Sequence, residues 1–346
     1  MHIHLFHELD IGGRPHGCSY IRLLQPFDYL AKAGKVTVTS GETLPHETPD
    51  IAIIERLWLP GLRVQHAENL LEMLAARHIP MVYTLDDNLL DLNVMPGTKD
   101  FPTDEQRQII RLLAQEARRV MVSTAPLAER MRRFNPNISI VPNQLDERMF
   151  ARRAQRQQNS KITFGYMGTL SHLEDVLMIL APLRKILHTH RDRVQFEILG
   201  IAEPQRIESL FDGLPVKIHR LTRKQIEYPG FVQWIGQHIH WDFAIAPLID
   251  TPFNNSKSDL KVLDYGILGI PGIFSDTPSY RHTIRHSNNG LCVPNTDTAW
   301  ENALQMMIED NAARRSMAKV VEEEIWNTRT LAQHAQDWEQ AVSKIE

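Results

Sequence analysis

The sequence predicts a two-domain α/β protein, each half a largely parallel sheet flanked by helices. Three observations carry this expectation. Short apolar runs alternate with longer amphipathic segments through most of the chain, the pattern of consecutive βα units. A length of 346 residues suits two domains of ordinary size, each with its own core. Between two such series lies ARRAQRQQNS, Ala151 to Ser160, a polar stretch without apolar periodicity that reads as a linker.

In the first half the apolar runs predict strands at Ile3–Phe6, Val36–Thr39, Ile51–Glu55, Met81–Leu85, Val120–Ser123 and Ile138–Val141. The amphipathic segments between them predict helices at Tyr20–Ala33, Gln65–Arg77, Thr103–Ala117 and Ala125–Arg133. The second half repeats the alternation, with strand Ile162–Tyr166, helix Leu173–Thr189, strand Val194–Leu199, helix Pro204–Phe211, strand Val216–His219 and a helix near Gln225–Gln237. Strands Phe243–Pro247 and Gly272–Ser275 follow, then a short apolar piece at Gly290–Val293 and mainly helical sequence from Thr298 onward.

The stretch FNNSKSDLKVLDYGILGIPGIFSD, Phe253 to Asp276, is the most informative. Ser256 and Asp259 have the S-x-x-D spacing of a capping box, which predicts a helix from Lys257. At roughly 100° per residue, Lys257, Lys261 and Asp264 share one stripe beside an apolar stripe of Leu260, Leu263 and Ile267. Lysines near a helix start oppose its dipole, at a cost of roughly a few tenths of a kcal/mol each. A bound diphosphate would reverse that cost, since helix-start amides and ammonium groups together form an anion site. The plainer alternative is a surface pair of Lys261 with Asp264 and a solvated Lys257.

A net charge of -4 lacks the basic excess of a dedicated nucleic-acid binder, so no nucleic-acid partner is expected. Cys18 and Cys292 stand far apart, which gives no disulfide framework or zinc spacing and suits a reducing cytosol. The opening MHIHLFHELDIGG has no basic leader with a long apolar core, and nowhere do eighteen apolar residues run together. The expectation is a cytoplasmic protein, soluble or attached to a membrane surface. Of the sixteen histidines, His2 with His4 and His238 with His240 have strand-like spacing but no third ligand nearby, so no metal site is expected. Lys257-Ser258 lacks the glycine run of a P-loop, and neither half opens with G-x-G-x-x-G.

Read in order, GYMGTLSHLEDV, FEILG, DFAIAPLIDTPFNNSKSDLKVLDYGILGIPGIFSD and NNGLCVP resemble bacterial glycosyltransferases of group 1 (family 4-like, GT-B fold), the surface-polysaccharide type. DIGGRP, YTLDDNL, VSTAPLAERM and VPNQLD add looser matches in the first half. The resemblance implies two Rossmann-like parallel-sheet domains facing across a cleft. Residues 1–155 would bind the acceptor and 156–330 the nucleotide-sugar, while 331–346 would form a C-terminal helix packing back on the N-terminal domain. An NDP-sugar would serve as donor co-substrate, with no bound cofactor.

The family's signature is a pair of glutamates eight positions apart, the second contacting the ribose. Alignment places Asp264 at the second, an acidic acceptor for ribose hydroxyls. The first falls on Ser256, which leaves its contact to the sugar unassigned. The family's arginine and lysine diphosphate clamp is missing from GYMGTLSHLEDV, so Lys257 and Lys261 are assigned that work. These two lysines and Asp87 are the catalytic candidates. Asp264, Ser258, Gly168, Thr169 and His172 are the donor-binding candidates, the glycine because backbone there could approach phosphates closely. His172 reads equally as a donor to phosphate or sugar and as a helix cap or exposed residue.

On the acceptor side, Asp86 and Asp87 follow MVYTL and so belong at the carboxyl end of a strand, where open α/β sheets place ligands. One of them orients or deprotonates an acceptor hydroxyl, or both simply cap a strand exit. Gly12, Gly13 and Arg14 either admit close approach to a phosphate or sugar or form a plain tight turn. Arg130, Arg132 and Arg133, with Met131 and Phe134, suit either anionic lipid or a solvated helix face.

The expected activity is transfer of a sugar from an NDP-sugar to a hydroxyl of a glycan or lipid-linked glycan. By resemblance it would be retaining, metal-independent and part of bacterial polysaccharide biosynthesis, with weak peripheral attachment to the inner face of the cytoplasmic membrane left open. Two other readings remain at this point. One is a catalytically silent GT-B module that binds nucleotide or glycan. The other is a metal-dependent GT-A-type transferase whose metal is held by Asp86 and Asp87.

Overall fold

The computed structural model describes residues 1–92, 101–152, 160–168, 172–200 and 204–343. The chain divides into two compact units: Met1–Asp146 with Ser256–Ser258 and Thr330–Glu346, and Glu147–Asn255 with Asp259–Arg329.

The first unit is built on β1 (His2–Phe6), β2 (Thr37–Ser40), β3 (Ile51–Glu55), β4 (Met81–Leu85), β5 (Arg119–Val122) and β6 (Ile138–Ile140). They pair in parallel in the order β2-β1-β3-β4-β5-β6. β3 and β4 are buried along their whole length, as strands covered on both faces must be, which explains their unbroken apolar runs. The core joins Ile3, Leu5, Phe27, Ile53 and Val82 to Leu331, Trp338 and Val342 of the helix Leu331–Ser343.

The expected helix Tyr20–Ala33 is three pieces: a turn at Gly17–Ser19, a π-helical turn at Tyr20–Leu24 and an α-helix at Gln25–Lys32. Pro26 explains the interruption. Without an amide N–H it cannot bond the Arg22 carbonyl, which accepts instead from Trp338 Nε1 at 2.7 Å.

The second unit contains β7 (Ile162–Met167), β8 (Val194–Leu199), β9 (Val216–His219), β10 (Phe243–Ala246), β11 (Gly272–Ser275) and β12 (Leu291–Val293). All are parallel, in the order β12-β11-β10-β7-β8-β9. Phe164 stacks on Phe196 and on Phe243, with ring centroids 4.9 and 4.7 Å apart, tying the three central strands together on one face. On the other face Gly165 makes room for Trp241, since a Cβ there would lie 2.0 Å from the indole.

Two expected helices are each split. Leu173–Thr189 breaks at Ile179 into Leu173–Met178 and Leu180–Thr189, with Pro182 in the first turn of the second piece. The helix near Gln225–Gln237 divides at the extended Glu227 into Arg223–Ile226 and Tyr228–His238, again with a proline, Pro229, at the new start.

Candidate functional site

In the second unit β7 has β8 on one side and β10 on the other, so the strand order reverses between β7 and β10. Open α/β sheets bind ligands beyond the carboxyl ends of their strands at such a reversal. Gly168 leaves β7 there, its amide donating to Leu199 O at 3.0 Å. A Cβ on it would lie 2.5 Å from Tyr166 Oη, so only glycine lets the backbone run this close. Asp175 spans the reversal. Its Oδ1 accepts from the amide of Ile249, just beyond β10, at 2.8 Å, and its Oδ2 lies 2.7 Å from His172 Nδ1. The carboxylate thereby favours a proton on Nδ1 and fixes the imidazole plane. Thr169 lies outside the described residues.

The helix that follows β10 spans Leu260–Ile267 and does not begin at Lys257. Ser256 closes a 3₁₀ turn, Asn254–Ser256, and the expected capping box with Asp259 does not form. The reason is long-range: the Asp259 carboxylate is held by the Arg329 guanidinium at 2.6 and 3.0 Å and by Thr283 Oγ1 at 2.6 Å. Lys261 remains in the first turn, its Nζ 5.4 Å from the centroid of the Tyr166 ring. Tyr265 of the same helix ties it across the reversal, its Oη accepting from Met167 N and donating to Ile245 O, both at 3.1 Å.

Asp264 is partly exposed, and its carboxyl has no hydrogen-bond partner among the described residues. Burial pushes it up to about 7, against the pull of Lys261. A half-covered carboxyl beside an ammonium group, one turn into a helix at the strand reversal, is an acceptor awaiting donors.

Lys257 and Ser258 fall elsewhere, in the three-residue stretch that belongs to the first unit. Lys257 Nζ lies 3.4 Å from Asp87 Oδ1, Ser258 Oγ accepts from Asn143 Nδ2 at 2.9 Å, and Ser256 O accepts from Thr124 Oγ1 at 2.8 Å. The expected common stripe of Lys257, Lys261 and Asp264 is therefore corrected, because the helix starts three residues later than the capping spacing suggested.

Asp86 and Asp87 do leave the carboxyl end of β4. Asp86 Oδ1 lies 3.9 Å from Arg56 Nη1, and burial and the neighbouring Asp87 push its carboxyl up from the ordinary range. Sequence reasoning missed the partners of this centre, Glu8, Glu55 and Arg56. The available signal was Glu55-Arg56 ending an otherwise apolar strand. Gly12, Gly13 and Arg14 form a tight turn around Asp10, whose Oδ1 accepts from the Gly12 and Arg14 amides at 2.7 and 3.0 Å. The Arg14 guanidinium closes the turn on Asp10 Oδ2 at 2.8 Å.

The GT-A reading is overturned by the two separate six-stranded parallel sheets. Among the described residues no group of three His, Cys, Asp or Glu could hold a metal ion, and no helix is long and apolar enough to cross a membrane. In the basic cluster Arg130 pairs with Asp91, Arg132 with Glu129, and the Arg133 guanidinium lies over the Phe134 ring.

Residues 161–310, which contain β7 to β12, match the family described as glycosyl transferases group 1. The chain carries a group 1 glycosyltransferase domain. This class transfers a sugar from an NDP-sugar. No curated protein matches the glycosyltransferase in sequence. Its structure is similar to sucrose-phosphate synthase from Thermosynechococcus elongatus, at 15% identity over 98% of each chain and a TM-score of 0.71. It is also similar to HepE from Anabaena in complex with UDP and glucose, at 12% identity over 99% of each chain and a TM-score of 0.67. A glycosyltransferase from Rickettsia africae matches at 11% identity over 99% of this chain and 98% of its own, with a TM-score of 0.62. At such identities the shared property is the fold, and the glycosyltransferase has the expected GT-B architecture.

Proposed function

We propose that this glycosyltransferase binds the nucleoside diphosphate of its donor at the strand reversal of the second unit. It passes the sugar, with retention and without a bound metal, to a hydroxyl of a glycan or lipid-linked glycan. The setting is bacterial polysaccharide assembly, in the cytoplasm or at the inner face of the cytoplasmic membrane. The observation that carries the reading is Asp264, a carboxyl without a hydrogen-bond partner among the described residues, three positions from Lys261.

Cleavage of the bond between sugar and diphosphate puts positive charge on the ring and negative charge on the departing phosphate. Fixed donors and cations aimed at that phosphate lower the barrier. Lys261 supplies one cation, the imidazolium form of His172, its Nδ1–H held by Asp175, supplies the Nε2–H, and the backbone at Gly168 allows close approach. Asp264 accepts from the ribose hydroxyls. In the first unit Asp87, oriented by Lys257, steers the acceptor hydroxyl. A nucleotide-binding but silent module is the second reading, favoured by the place of the first family glutamate being taken by the buried Ser256.

The test is a melting-temperature panel of UDP, GDP, dTDP, ADP and CMP, since a ligand of the native state raises its melting temperature by mass action. HepE was solved with UDP-glucose, which makes UDP the first ligand to try. Release of the nucleotide from the matching NDP-sugar in the presence of acceptor supports transfer. Binding without release supports the silent module, and no binding removes both.

A further inference from the structure

Tyr166, in β7 and two residues before Gly168, is fully buried, yet its hydroxyl has no hydrogen-bond partner. A buried hydroxyl left unpaired weakens the ligand-free fold, so the reason for this residue lies in what its ring touches. The oxygen acts only as a wedge. It stands 2.5 Å from where a Cβ on Gly168 would lie, filling the space the glycine leaves open and fixing the plane of the ring.

Over that ring lies the Lys261 ammonium, its Nζ 5.4 Å from the centroid, inside the roughly 6 Å reach of a cation–π attraction. The helix Leu260–Ile267 is held so that the two meet. Tyr265 follows Lys261 by one turn on the same face, and its hydroxyl accepts from Met167 N of β7 and donates to Ile245 O of β10, both at 3.1 Å. Gly266 lets the helix press against the helix Asn311–Thr328, since a Cβ there would lie 2.5 Å from Ile325 Cγ1. With the helix fixed against the strand and the ring wedged under Gly168, the place of the ammonium is set by the fold.

We propose that Tyr166 is a positioning residue: the face of its ring seats the Lys261 ammonium and presents it to the diphosphate of the NDP-sugar. A carboxylate would also hold a lysine, but it would neutralise the charge and compete with the phosphate for its N–H groups. The negative face of a ring attracts the cation without offering it a full counter-charge. A free lysine loses rotamer entropy when a ligand fixes it. A seated one has lost much of that freedom beforehand, so the phosphate meets a cation already in place. The inference rests on the donor reading above.

The experiment titrates the full chain with UDP, GDP, dTDP or ADP, whichever raises its melting temperature most, and with the matching nucleoside. Tyr166→Phe is the reference, because it keeps the ring and drops the unpaired hydroxyl. Fluorines on that phenylalanine keep its shape and withdraw the negative charge from its face. Each added fluorine should weaken diphosphate binding, to roughly three- to thirtyfold below the reference for the trifluorinated ring. Tyr166→Leu should lose a similar factor. With Lys261→Met in place, neither change should cost more than about twofold, since the partner of the ring is gone. Nucleoside affinity should stay level across the series. If Tyr166→Leu does not fold, the fluorinated series carries the test alone. Equal affinity of the plain and fluorinated rings, or losses of the same size with and without Lys261, overturns the seat. A Lys261→Met variant that binds the diphosphate as tightly as the parent, or a parent that binds none, instead overturns the donor reading.

Discussion

Asp264→Asn isolates the proposed ribose contact. Burial holds the Asp264 carboxyl at about 7 in the ligand-free protein, and its charged form offers both oxygens as strong, charge-assisted acceptors to the ribose hydroxyls. Binding should therefore lower its pKa and release a proton. The ionised fraction falls from about nine-tenths at pH 8 to about one-tenth at pH 6, so apparent affinity should weaken about tenfold over that range, about 1.4 kcal/mol. Calorimetry with the nucleoside avoids the titration of phosphate. In buffers of different ionisation enthalpy it should also count about half a proton released at pH 7. Asp264→Asn should bind more weakly at pH 8, lose the slope and no longer distinguish ribose from 2′-deoxyribose. A parent protein with flat affinity from pH 6 to 8, or a variant that keeps the slope, refutes the assignment.

Lys261→Met should weaken nucleoside diphosphate binding about ten- to hundredfold while leaving nucleoside binding nearly unchanged, as isothermal titration would show. Lys257→Ala, whose partner is Asp87, should instead raise the acceptor KM and spare nucleoside diphosphate affinity, and the reverse outcome returns Lys257 to the donor. Glu55 has a folded pKa of about 7 against an ordinary 4.5, so the folded form binds more protons between these values. Stability should fall as pH rises through that window, by up to about 1.4 kcal/mol per pH unit, and urea titrations of Glu55→Gln should show part of that slope removed. Gly165→Ala would drive a Cβ into the Trp241 ring and should cost about 3 kcal/mol in the same titrations.

The strands were legible because β3, β4 and β10 are buried along their whole length and so had to be apolar without interruption. Helix interiors were less legible. Pro26, Pro182 and Pro229 sit inside amphipathic stretches that look continuous, and each marks a break or a new start. The helix after β10 was placed three residues early because Ser256 and Asp259 satisfy a local rule, whereas Asp259 is claimed by Arg329, seventy positions along the chain. Asp264 could be singled out because it falls on a motif within one helix. Glu8, Arg56 and Asp86 stand in separate βα loops, and only the sheet order brings them together.

Amide hydrogen exchange of the full chain with and without the nucleoside diphosphate tests the donor site most directly. Added ligand should slow exchange around Gly168, from His172 to Asp175, and from Leu260 to Asp264, and Lys261→Met should reduce that protection. Protection confined to other segments, or none at all under saturating ligand, would contradict the placement of the donor in the second unit.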